Sequence, residues 1–111
     1  MAFDVITPVS MGSAELTVGL ATIRTTPASS KDIVKEIDVA NNSATSADVS
    51  VHLVPSGGSA DSTNRLFPAV EIPANTVLNW NGVQVLDAGS TIQASATVSG
   101  VTIIISGGNA V

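Results

Sequence analysis

The chain has 111 residues, 44% apolar and only 12% charged, with four basic against nine acidic side chains and a net charge of −5. That length and apolar content support one packed core, since two would leave each half marginal. Arg24, Lys31, Lys35 and Arg65 are too few to displace counterions from a phosphate backbone, so no direct nucleic-acid partner is expected, and the lack of cysteine removes disulfides, thiolate metal sites and cysteine nucleophiles.

The first stretch, "MAFDVITPVSMGS", has no basic start and no continuous apolar core, so a secretory signal is not expected. It also lacks clear alternation. It reads as a flexible N-terminal arm over residues 1–13, with Val5, Ile6 and Val9 available to pair with a neighbouring subunit's sheet. Residues 14–111 read as a single domain.

From residue 14 onward the apolar period is two, the mark of half-buried strands. "ELTVGLATI" aligns Leu16, Val18 and Leu20 in a strand near 14–24. After the turn "TTPASSKD", the stretch "SSKDIVKEID" has a helical alternative capped by Ser30. A strand over 32–41 is preferred, because Ile33, Ile37 and Val39 stand opposite Glu36 and Asp38 and the stretch runs straight into "VANN". The "NNS" at Asn41 fits a glycosylation acceptor, which has meaning only on a secretory route. "ADVSVHLV", near 47–54, places Val49, Val51 and Leu53 on one face and Asp48, Ser50 and His52 on the other.

"RLFPAVEI", near 65–72, cannot hide both Leu66 and Phe67 by alternation, which makes Phe67 a candidate interface residue. "NWNG" reads as a turn between short strands near 76–80 and 83–86. Trp80, the only tryptophan, is either an interface anchor at that hairpin end or a core residue with its N–H bonded to backbone. "STIQASATV", near 91–98, aligns Ile92, Ala94, Ala96 and Val98. In "VTIIIS", near 101–106, Val101, Ile103 and Ile105 point inward and Ile104 is left facing out. That run is far too short to span a membrane, and no membrane partner is expected.

About eight such strands, rich in Val, Ile and Thr, predict an all-β fold: two antiparallel sheets packed as a jelly-roll-like β-sandwich. A closed barrel is the competing architecture. Low charge leaves few guards on the edge strands and favours a homo-oligomer.

The longest loop lies within "HLVPSGGSADSTNRLFP", residues 52–68. It holds the only histidine, with Asp61 and Ser56, Ser59 and Ser62 nearby, the residue types of a hydrolytic triad. No G-x-S-x-G elbow accompanies them. Nor is there a lysine or following helix for a phosphate loop. A lone histidine does not make a zinc site, and "DSTN" at 61–64 is the only group with any suggestion of calcium ligands. His52 therefore reads as an exposed strand histidine first, an interface residue second and a catalytic one last. No catalytic residue, metal or cofactor is expected.

The stretch "TTPASSKDIVKEIDVANNSATSADVSVHLVPSGGSADSTNRL" and the later "LDAGSTIQASATVSGVTIIISG" together resemble a pattern in small virion proteins of tailed bacteriophages. A "TxPA" turn leads there into a strand like "IVKEIDVAN", followed by one like "VSVHLVPSGGSA". The resemblance spans roughly residues 20–108 and rests on turns and strands. It implies a non-enzymatic β-sandwich of the virion, commonly trimeric, whose partners are itself and the major capsid protein or another virion protein. The leading expectation is a capsid decoration or cement protein. A tail, neck or fibre component in host attachment is the alternative, and a carbohydrate-binding module a third. The candidate interface is Val5, Ile6, Val9, His52, Phe67, Trp80 and Ile104.

Overall fold

Alternating β-branched and polar residues become eight strands in the computed structural model, which describes residues 5–111. They are β1 (Ile6–Glu15), β2 (Ala21–Thr25), β3 (Lys31–Asn41), β4 (Ala47–Val54), β5 (Arg65–Ile72), β6 (Thr76–Leu86), β7 (Thr91–Ala96) and β8 (Val101–Ala110). Among the described residues there is no helix.

Every pairing is antiparallel, and the partners nest: β1 with β8, β2 with β7, β3 with β6 and β4 with β5. Such nesting is what a long two-stranded ribbon makes, with the β4–β5 hairpin at its tip. Winding the ribbon brings β3 beside β8 and β4 beside β7. Two four-stranded sheets result, ordered β1-β8-β3-β6 and β2-β7-β4-β5. The alternation predicts the sandwich, and the nested order makes it a jelly roll.

The core lies between the sheets and is built mostly by their central strands. Val34, Ile37 and Val39 of β3, Val49 and Val51 of β4, Ile92 and Ala94 of β7, and Val101, Ile103 and Ile105 of β8 are all fully buried. Burial of each larger side chain contributes roughly 1.5–3 kcal/mol.

Four features depart from the sequence reading, each for a local reason. First, Ile6–Ser13 are not an arm: they belong to β1, paired with β8 from Ile6↔Ala110 to Glu15↔Thr102. Pro8 and a bulge between Ser10 and Gly12 blur their alternation. The expected arm's residues 1–4 lie outside the described residues. Second, the expected strand 14–24 is two strands in different sheets, joined by a loop that leaves Val18 79% and Leu20 47% exposed. Third, the expected strands 76–80 and 83–86 are one. Val34↔Gln84 is followed by Glu36↔Asn81, so β6 carries one residue more than β3 there. "NWNG" therefore builds a bulge, not a turn. The Trp80 ring lies over Gly82, where a Cβ would come within 3.1 Å of Cζ2. Fourth, β3 carries an extra residue against β8 at Lys35, which reverses the alternation. Val34 is buried, and Ile33 is half-buried.

The loops collect at two ends. Hydrogen bonds from Leu16 to Val101, Asn42 to Gly100 and Ala96 to Thr17 join the β1–β2, β3–β4 and β7–β8 loops at one end. At the other, Thr26 and Ser90 tie β2–β3 to β6–β7, and Val5 and Val111 exchange backbone bonds of 3.2 and 2.9 Å.

Candidate functional site

The β4–β5 loop is organised by its own side chains. Gly58 N–H donates to the Pro55 carbonyl at 2.9 Å, with Gly57 at φ 75° making the reversal. Asn64 then acts as the hub: its Nδ2 donates to the Ser59 carbonyl at 2.9 Å, and its Oδ1 accepts from the Asp61 N–H at 3.1 Å. His52 Nδ1 lies 2.9 Å from that Oδ1 and 3.1 Å from the Asp61 carbonyl. Both partners are acceptors, so Nδ1 carries the proton.

His52 is only 5% exposed, a correction to its expected place on the wet face. The register shifts between Val51 and His52, and the loop folds back over the ring. No triad geometry forms. Nδ1 faces amide oxygens, and the Asp61 carboxylate accepts instead from the Thr63 hydroxyl and N–H. Those two bonds hold the Asp61 carboxyl below the usual carboxylate range. Among the described residues, no three His, Asp or Glu side chains gather as a metal site.

A second polar cluster, not anticipated from the sequence, lies between β2, β3 and β8. Asp32 is fully buried. Arg24 grips it through two hydrogen bonds of 2.8 and 2.9 Å. Thr26 Oγ1 adds one of 3.0 Å and Asn109 Nδ2 another of 2.9 Å. Burial would push the carboxyl up, but the bonds from Arg24, Asn109 and Thr26 together hold it below the usual range. Alternation does not mark it: with Ile33, Ile37 and Val39 set inward, Asp32 falls on the outer face, and the bulge at Lys35 turns it in.

Of the candidate interface residues, Val5, Ile6 and Ile104 are exposed at 57%, 59% and 50%. Val9 and Trp80 are half-buried against the core. Phe67 is buried in the single chain, a correction to its expected exposure. Two residues, Pro68 and Ala69, face the single Ser50 between Phe67↔Val51 and Val70↔Val49, and Ala69 at φ 50° turns the chain there. The alternation argument missed Val18, Leu20, Val77, Val83 and Val85, all exposed.

Two open depressions mark the surface. One, of about 450 Å³, lies between β5 and β6 and is lined by Arg65, Leu66, Gln84 and Leu86 among others. The other, of about 330 Å³, is an apolar trough between Ile6, Pro8, Ile33 and Lys35, floored by Gly107 and Gly108.

No protein-family model matches the chain, and no curated protein matches it. Among solved structures, it is similar to a chain from the structure of infectious bursal disease virus, Gx strain, at 14% identity and a TM-score of 0.39. The likeness covers 96% of this chain but only 39% of that one.

Proposed function

We propose that the protein is a structural component of a tailed-bacteriophage virion, a decoration protein that binds the outer head and ties capsid subunits together. The resemblance of residues 20–108 to small phage virion proteins supports the class. The observation that carries the attachment mechanism is the β1–β2 loop. Its tip presents Val18 and Leu20, exposed at 79% and 47%, at the end away from Val5 and Val111. Two apolar side chains held out on a short loop have no role in this chain's own core. Burying them in a capsid depression would contribute roughly 1.5–3 kcal/mol each. Repetition over several copies in an assembly multiplies that gain.

Residues 6–13, expected as a free arm, are committed to β1 and are not offered for attachment. The test is particle binding by a Val18→Asp/Leu20→Asp variant. Occupancy on phage heads should fall tenfold or more, with the circular dichroism spectrum unchanged. Full occupancy would remove the loop from the mechanism. Gold-labelled protein found on tails, not heads, would replace decoration by the tail or fibre role.

A further inference from the structure

The two sheets have four edge strands, β1, β6, β2 and β5, and three of them are closed to further pairing. β1 carries Pro8, which has no N–H to donate, and a bulge between Ser10 and Gly12. It also lies against β2: a Cβ on Gly12 would come within 2.6 Å of Ile23 Cγ2. β2 has only five residues, a register break between Thr22 and Arg24, and the charge of Arg24. β5 holds Pro68, two register breaks, Ala69 at positive φ, and the charges of Arg65 and Glu71. Proline, bulges, short length and charge are the means by which native sheets keep edges from pairing.

β6 is different. "TVLNWNGVQVL" has no charge and no proline. Its first six residues pair without interruption with β3, from Thr76↔Asn41 to Asn81↔Glu36. On the other side, no backbone or side-chain hydrogen bond reaches the main chain of 77–81 among the described residues. The nearest charges, Glu36 and Asp38 on β3, are both engaged by the Asn79 amide.

We infer that the β6 edge pairs antiparallel with the β6 edge of a second copy, joining two four-stranded sheets into one of eight. The occupant follows from the edges themselves. Head-to-tail addition needs two different open edges, and this chain offers one. Self-pairing about a two-fold axis needs one and closes on itself. A two-fold axis also sets each charge near its own copy, and this strand carries none, in a chain of net charge −5. Matching inner and outer faces requires paired residue numbers with an even sum. Centring on Asn79 satisfies that within the regular segment. It sets Asn79 opposite Asn79, Val77 opposite Asn81, and half-buried Leu78 opposite half-buried Trp80. The last pair buries what the single chain leaves partly wet, with an aromatic anchor near the centre. The unit is then two-fold, in place of the trimer implied by the resemblance to virion proteins. The inference stands on the strand edges and needs no particle, so it can fail while the virion reading survives.

Light scattering on the purified chain at micromolar concentration should give twice the chain mass. Val77→Glu, at an exposed position, should give the single-chain mass with an unchanged spectrum. Asn79→Cys, in a chain without cysteine, should form a covalent dimer on mild oxidation. Thr22→Cys, on the closed β2 edge, should not. A single-chain or trimeric mass for the unmodified protein overturns the inference. So does a Val77→Glu variant that stays dimeric, or an Asn79→Cys variant that does not cross-link. Should the chain be monomeric, and its β6 amides gain exchange protection only when phage heads are added, the occupant is a strand of another protein and the second copy is excluded.

Discussion

Among the described residues, Asp32 has the most demanding position. A carboxylate without solvent contact is tolerable only if its oxygens are fully engaged. Here Arg24, Thr26 and Asn109 engage both. Removing one partner of a buried pair leaves an uncompensated charge, so Arg24→Ala should cost about 3 kcal/mol at pH 7, read as a lower urea midpoint. The same carboxyl makes stability depend on pH. Its folded pKa is depressed, so its contribution is complete above the ordinary value of ~3.9. The contribution fades as pH falls below that and passes through the depressed folded value. An Asp32→Asn variant should be less stable than the parent at pH 7 and lose less on acidification, measured by urea unfolding at both pH values. Nothing in the alternation pattern marks Asp32 as buried, because the bulge at Lys35 turns it inward and its partners, Arg24, Thr26 and Asn109, lie on β2, just beyond it and on β8. His52 was misplaced for a related reason: its Asn64 and Asp61 partners were visible as loop formers, but not as a cover for the ring.

At the scale of elements, the bulge at Lys35 fixes much of the first sheet. It turns β3 so that Val34 is buried, and it requires a residue without a side chain on β8. A Cβ at Gly107 would stand 1.9 Å from the Ile33 carbonyl oxygen and 3.1 Å from the Lys35 N–H. Neither is the end of a flexible side chain. Gly107→Ala should therefore destabilise by more than a typical core truncation, about 3 kcal/mol or more, or prevent folding. Gly19→Ala, with open space around it, should change the melting midpoint little. Strand content was legible wherever alternation was unbroken, as in β4, β7 and the first half of β8. At bulges the strand was still legible, as in β3 and β5, but its facing was not, since one extra residue reverses the pattern without changing composition. Thus the joined span 14–24 and the divided β6 compensated in the strand count, while the first misplaced Val18 and Leu20 and the bulge at Lys35 misplaced Ile33. The exposed apolar residues now assigned to attachment and pairing come largely from those misread places.

For the whole molecule, the sandwich class follows from eight half-buried strands, whereas the nested partners do not, because alternation says which face a strand buries and not which strand lies beside it. Of the six pairings, only β4–β5 joins neighbours in sequence; β1 waits for β8, ninety or so residues later on the scale of a fully extended chain of some hundreds of ångströms. On the ribosome, the β4–β5 hairpin is the first pair that can close, and the loop held by Asn64 is its turn. Asn64→Ala should lower stability by about 1–2 kcal/mol. Most of that loss should appear as slower folding and little as faster unfolding, seen in the two arms of a stopped-flow chevron. Equal folding rates with faster unfolding would place nucleation elsewhere. Until β8 emerges, β1 and β3 lack the strand that lies between them. A chain cut after residue 100 would have one sheet able to form and the other split at its centre, open to capture by chaperones or by a second copy.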